Sequence, residues 1–129
     1  GTRRTEATSI ISSGFDFRLG RAGYYGQGTY FTPQFCKAHQ YTEAEGADRT
    51  RTLIIARVLV GEPHFARQVD EEMRRPPLGA GAGRPSDSVI ARPGPMEGHF
   101  AGRQAHQEVV VFERAQAYPE YIVEYTAED

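Results

Sequence analysis

The strongest apolar pattern along the chain is the near-continuous run Thr52-Leu53-Ile54-Ile55-Ala56-Arg57-Val58-Leu59-Val60, closed by Gly61. A short apolar run ended by a turn residue predicts a strand, and its few polar positions predict burial on both faces. Glu108-Val109-Val110-Val111-Phe112 and Tyr121-Ile122-Val123-Glu124-Tyr125 read the same way, the second after a turn near Tyr118-Pro119. Asp87-Ser88-Val89-Ile90-Ala91 is a shorter candidate, and Thr29-Tyr30-Phe31 reads as the end of a strand. Helical spacing is confined to two places. From Thr5 to Ser12, Ala7, Ile10 and Ile11 share a stripe, with Thr2 or Thr5 as N-cap and Gly14 placed to end the helix in a left-handed conformation. Thr32-Pro33 predicts a second helix start, since the hydroxyl can cap free N–H groups and proline loses no bond there; the turns through Tyr41 set Lys37 and Tyr41 on one face.

The intervening segments are irregular. Gly20, Gly23, Gly26 and Gly28 surround Tyr24 and Tyr25, a composition suited to a loop whose backbone comes close to something. Residues 43 to 51 are polar and predict an exposed loop, and Glu62 to Pro95 is mostly without pattern. The Gly- and Pro-rich stretch from Arg74 to Pro85 predicts a mobile surface excursion. The sum is a strand-dominated α+β domain with short helices inserted early, one domain over residues 1–129.

Composition narrows the function classes. With 39% hydrophobic and 25% charged residues in 129, the chain is expected to be one soluble globular domain, and 14 Gly with 8 Pro favour short strands over long helices. A net charge of −2 without a basic stripe gives nucleic-acid binding no compositional support. No apolar run has the length of a bilayer span and none resembles a signal segment. The single Cys cannot form an internal disulfide, and no His/Cys set has zinc spacing. An intracellular protein, nuclear or cytoplasmic, without a structural metal is expected.

Few residues stand out chemically. Glu108 opens an otherwise apolar strand, either as a solvated strand end or as a carboxylate at a pocket rim, where it would bond ribose hydroxyls and stabilise positive charge as a glycosidic bond breaks. Tyr24, Tyr25, Tyr30, Phe31 and Tyr41 are either core aromatics or stacking surfaces for a planar ligand beside the Gly-rich loop. The loop lacks the strand-glycine-helix order of a Gly-x-Gly-x-x-Gly fingerprint and the Walker lysine, so a nucleotide would be held by another architecture. Cys36 and His39 lie one helical turn apart with no third group to orient them, which argues against a nucleophilic pair. His64, His99 and His106 read as surface or edge residues, and Glu71 with Glu72 as a solvated face.

Four blocks in order resemble the catalytic domain of the poly(ADP-ribose) polymerase family, in its diphtheria-toxin-like class. They are Gly1-Thr2-Arg3 followed by the first helix and Gly14-Phe15; Tyr25-Gly26-Gln27-Gly28-Thr29-Tyr30-Phe31; Arg57-Val58-Leu59-Val60-Gly61 with Asp87-Ser88-Val89; and Glu108 through Phe112 followed by Gln116-Ala117-Tyr118-Pro119-Glu120-Tyr121-Ile122. The resemblance covers essentially the whole chain. It implies an ADP-ribosyltransferase fold of split antiparallel sheets with short flanking helices. It also implies transfer of ADP-ribose from the co-substrate NAD⁺ to a protein acceptor, or to a nucleic-acid end in its place, without a metal, in single or repeated units. By the same resemblance, Gly1 clamps the nicotinamide carboxamide, Thr2 faces the adenosine side, and Tyr25, Tyr30 and Phe31 form a pocket wall. Tyr30 and Glu108 are two members of a His-Tyr-Glu triad, Tyr41 stacks on nicotinamide, and Arg18 or Arg21 contacts the diphosphate or adenosine.

Two departures follow. The triad histidine belongs immediately before Gly1, together with upstream strands and a helix. The expectation for the fragment alone is therefore weak or absent activity and a sheet edge that an upstream segment or a partner chain covers. Ala38 stands where the family commonly has a serine whose hydroxyl bonds the nicotinamide carbonyl, a loss of roughly 0.5–1.5 kcal/mol. A catalytically weak NAD⁺-binding or protein-interaction module is the competing reading.

Overall fold

The computed structural model describes residues 1–20, 22–79, 81, 83–96 and 100–128. Helix α1 spans Arg4–Ser13. Its first turn is held by Glu6, whose carboxylate accepts from the Thr2 hydroxyl at 2.9 Å and from the Arg3 backbone N–H at 3.4 Å. Arg3 occupies the N-cap position, so neither Thr2 nor Thr5 caps the helix; a first-turn carboxylate supplies the acceptor and suits the positive end of the helix dipole. Gly14 ends α1 as expected, but with φ 79° and ψ 176° it leaves in an extended path and not a left-handed turn. Of the predicted stripe Ala7 is buried, while Ile11 remains 49% exposed.

The described strands, in chain order, are β1 (Thr29–Phe31), β2 (Arg51–Val58), β3 (Pro63–Ala66), β4 (Ser88–Ala91), β5 (Gly94–Pro95), β6 (Gln104–Ala105), β7 (Glu108–Val111) and β8 (Ala117–Tyr125). Helix α2, Phe35–His39, lies between β1 and β2. A four-stranded sheet runs β1-β7-β4-β3, β2 pairs with β8, and β5 pairs with β6. This is the α+β arrangement of split sheets and short helices that the sequence predicts. One pairing is not antiparallel: β3 runs parallel to β4, with Pro63 opposite Ser88. Parallel neighbours require a long crossover, and residues 67–87 supply it with no helix among the described residues. The strand β3 falls where the sequence carries no period, because its four residues take their conformation from β4.

Two further expectations are corrected. The β2 run is not buried on both faces: it forms a ladder with β8 only, and Ile55 is 52% exposed. The turn near Tyr118-Pro119 is absent, because β8 continues through Pro119. That residue lies opposite Ala56 where the register shifts, and such an irregularity tolerates a residue without an N–H. The Arg74–Pro85 stretch lies at the surface for most of its described residues, and its base is joined by an isolated bridge, with Gly79 N–H to Arg84 O and Ser86 N–H to Pro77 O both 2.8 Å and with Pro76 buried.

The core sits on the four-stranded sheet. Tyr25, Val89, Ala91, Val110 and Phe112 form one cluster, with Tyr24, Tyr30, Ala66 and Met73 packed against it. Val89 and Val110 are fully buried, each stabilising the fold by about 1.5–3 kcal/mol. The Gly-rich loop meets this core at Gly26, whose φ is +87° and where a Cβ would lie 2.0 Å from the Met73 carbonyl oxygen. The same carbonyl accepts from Gln27 N–H at 2.9 Å, which ties the loop to the crossover. Gly26→Ala is expected to unfold the domain or cost more than about 3 kcal/mol, because a backbone clash adds to strain. Gly46→Ala, equally positive in φ but in open space, should cost only about 1–3 kcal/mol in a urea titration. Equal costs at the two sites would contradict the close approach at Gly26.

Candidate active site

A cleft of about 870 Å³ opens between one end of the four-stranded sheet, α2 and the β2–β8 ribbon. The apolar residues Leu53, Ile54 and Ile55 of β2 with Val123 of β8 form its floor, which explains why the β2 run is apolar yet open. Glu108 enters as the first residue of β7, opposite Ala91 of β4, so the most buried strands of the fold fix its position. Burial of the carboxylate pushes the Glu108 pKa up, while Lys37 and then His106 pull against it. Lys37 Nζ lies 4.0 Å from Glu108 Oε1, with the two side chains only 18% and 13% exposed. That ammonium is also 5.3 Å from the centroid of the Tyr41 ring, so one cation bridges the carboxylate and the aromatic face.

Helix α2 presents Lys37 and Ala38 to the cleft, and the turn after it adds Tyr41. It starts at Phe35, with Gln34 as N-cap, and not at Thr32-Pro33. The Thr32 hydroxyl accepts from Gln34 N–H at 3.1 Å but donates to the Gln107 carbonyl at 2.8 Å, which diverts it from helix capping and fastens α2 beside Glu108. A second fastening joins α2 to β8: His39 Nδ1 is 2.6 Å from the Tyr125 hydroxyl, and the Phe35 ring meets Tyr125 edge-on at 5.5 Å. His39 is thus engaged away from Cys36, which is exposed and free, and the two form no nucleophilic pair.

Gly1 lines the same cleft, and a Cβ there would lie 2.1 Å from the Ala38 carbonyl oxygen. Thr2, its neighbour, lines a second lobe of about 680 Å³ bounded by α1, the turn after it and β1. Tyr30 borders both lobes. Its hydroxyl donates to the Gly26 carbonyl at 2.7 Å and accepts from Tyr25 N–H at 3.0 Å, and burial pushes its pKa up to about 12. Tyr30 is therefore the brace that shapes the Gly-rich loop. Phe31 faces the main lobe and meets Phe15 edge-on at 5.0 Å.

The structure does not bring every candidate to the cleft. Tyr25 is 5% exposed and belongs to the core, and its N–H donates to the Tyr30 hydroxyl. Arg18 is spent on Asp16, with Nε to Oδ1 at 2.9 Å and Nη2 to Oδ2 at 2.8 Å, and its side chain is outside the lining of either lobe. Those bonds hold the Asp16 carboxyl down to about 2. Arg21 lies outside the described residues, as does His99. Lys37, His106, Tyr125 and Arg114 are contributors that residue-by-residue reading passes over. His106 had a signal, since alternation along an extended segment puts it on the side of Glu108 two residues on. Among the described residues no group of three or more His, Cys, Asp or Glu could hold a metal ion, and no helix is long and apolar enough to cross a membrane.

An ADP-ribosyltransferase-type fold with a carboxylate, two tyrosines and a glycine backbone around a two-lobed cleft defines the class. The model for the poly(ADP-ribose) polymerase catalytic domain matches residues 1–127, and the chain belongs to that family. It is 31% identical over 128 residues to the human Protein mono-ADP-ribosyltransferase PARP12 and 29% identical over 128 residues to the mouse protein of the same name. Each match covers 98% of this chain and 16% of the relative, so the chain spans about a sixth of their length.

Two outcomes test this geometry. Tyr30→Phe should lower stability by about 1–3 kcal/mol in denaturant titration, since it leaves the Gly26 carbonyl and Tyr25 N–H without their partner; no loss would refute the brace. Lys37→Met removes the leading influence that lowers the Glu108 pKa, so the carboxyl titration followed by ¹³C NMR should move to higher pH. An unmoved midpoint would show that the pair does not interact.

Proposed function

We propose that the chain is the catalytic core of an NAD⁺-dependent ADP-ribosyltransferase that moves a single ADP-ribose unit to a protein side chain and releases nicotinamide. The observation that carries the reading is Glu108: a desolvated carboxylate at a cleft edge, joined through Lys37 to an exposed aromatic ring and separated by Tyr30 from a second lobe. A dinucleotide bent over the Gly1-Thr2 and Tyr30 ridge has one half for each lobe. Nicotinamide stacks on Tyr41 with its carboxamide against the Gly1 backbone, its ribose reaches Glu108, and the adenosine half enters the lobe beside Thr2.

The chemistry then needs little apparatus. The leaving group is already a pyridinium cation and departs neutral when the bond to the ribose carbon breaks, so it requires neither a general acid nor a metal. Positive charge grows on the ribose as the bond lengthens, and a fixed carboxylate in a poorly solvated site stabilises that charge more than it stabilises the ground state. The acceptor nucleophile closes on the ribose carbon as nicotinamide leaves. Transfer of single units is favoured by the likeness to relatives named as mono-ADP-ribosyltransferases.

Glu108→Gln should cut nicotinamide release by about 10²–10³-fold with the folded state retained. Unchanged turnover would remove Glu108 from the mechanism. In the wild type, release should fall as pH drops through the raised Glu108 pKa, because the protonated acid no longer stabilises the cation. That acid limb should lie above the ordinary glutamate value of about 4.3. Ala38 offers no hydroxyl to the nicotinamide amide, which is the observation favouring a binding module over an enzyme. Ala38→Ser should tighten NAD⁺ binding by about 2–10-fold in calorimetry. Binding of NAD⁺ without nicotinamide release would establish the module instead.

A further inference from the structure

Among the described residues the second lobe is lined by two carboxylates, Glu6 and Asp16, and one guanidinium, Arg114. Both carboxylates are committed: Glu6 to Thr2 and Arg3, Asp16 to Arg18. Arg114 differs. Its Nη2 donates to the Ser13 carbonyl at the end of α1, and no carboxylate is paired with it among the described residues. Its charge is felt by Asp16, which it helps to keep ionised from a distance.

The placement of Arg114 is rigid. It opens the 3-10 turn Arg114–Gln116 directly after β7 and Phe112-Glu113. Gln116 fixes that turn by donating Nε2 to the Asp87 carbonyl at 2.7 Å and to the Leu59 carbonyl at 3.1 Å, while its own carbonyl accepts from Leu59 N–H at 2.7 Å. One segment therefore carries Glu108 in the main lobe and Arg114 in the second. Their six-residue separation spans at most about 20 Å of chain, within reach of one bent dinucleotide.

We propose that Arg114 binds a diphosphate oxygen of the nucleotide seated across the two lobes, and that it supplies the cation for which Arg18, tied to Asp16, is not free. This rests on the NAD⁺ reading above. A guanidinium held by one carbonyl keeps other N–H groups for an anion, and a phosphate is the anionic part of that ligand. Phosphate in a lobe that already contains two carboxylates needs such a counter-charge, and Arg114 lines the same lobe as both.

Calorimetric titration of the chain and of Arg114→Gln and Arg114→Lys with NAD⁺, ADP-ribose and nicotinamide tests the assignment. Arg114→Gln should weaken NAD⁺ and ADP-ribose by about tenfold or more while leaving nicotinamide affinity and the melting temperature nearly unchanged. Lysine should restore part of the loss, and the salt dependence of ADP-ribose binding should be shallower in the glutamine variant. Equal weakening of nicotinamide and ADP-ribose would mean that Arg114 only supports α1 through Ser13, and unchanged ADP-ribose affinity would remove it from the site; either overturns the proposal. Loss of all three ligands in the wild type would instead overturn the NAD⁺ reading itself.

Discussion

Strand β7 is hydrogen-bonded along both edges, to β1 on one side and β4 on the other, and its side chains Val110 and Val111 are almost completely buried. A strand held in this way cannot slip by one residue without turning its apolar side chains to the wrong face. Glu108 is therefore fixed by the packing of the residues after it, and the desolvation of its carboxylate follows from where the sheet ends. Lys37, His106 and the floor of the cleft modulate a position that the core has already determined.

The fastening of α2 follows from the same strand. Gln107 accepts from Thr32, and His106 Nδ1 lies 3.2 Å from Gln34 Oε1, so the residues leading into β7 grip the start of the helix that carries Lys37 and Ala38 and leads into Tyr41. Tyr125 grips its other end through His39. A five-residue helix has little stability of its own, and these side-chain contacts replace the length it lacks. The aromatic face and the carboxylate are thereby held in one frame, as a reaction depending on charge placement demands.

Legibility in the sequence followed the source of each element's order. Strands β2, β4 and β7 are ordered by their own apolar residues and were readable; β3 and the extension of β8 through Pro119 are ordered by their partners and were not. Helix α2 starts later than Thr32-Pro33 predicts because Thr32 spends its hydroxyl across the chain on Gln107, a tertiary bond that local capping chemistry cannot anticipate. Among candidate site residues, Gly1, Thr2, Tyr30, Phe31, Ala38, Tyr41 and Glu108 all border the two lobes. Tyr25 and Arg18 do not, since one fills the core and the other closes on a carboxylate two residues away. Arg114 carried no local signal, being one arginine in a polar turn.

The central claim is that one nucleotide lies across both lobes with its nicotinamide ribose at Glu108. A crystal structure with an NAD⁺ analogue whose nicotinamide-ribosyl bond cannot break tests it most directly. The account predicts the nicotinamide ring stacked on Tyr41, ribose hydroxyls bonded to the Glu108 carboxylate, and the adenosine half beside Thr2. An analogue seated elsewhere, or bound with its ribose turned away from Glu108, would contradict it.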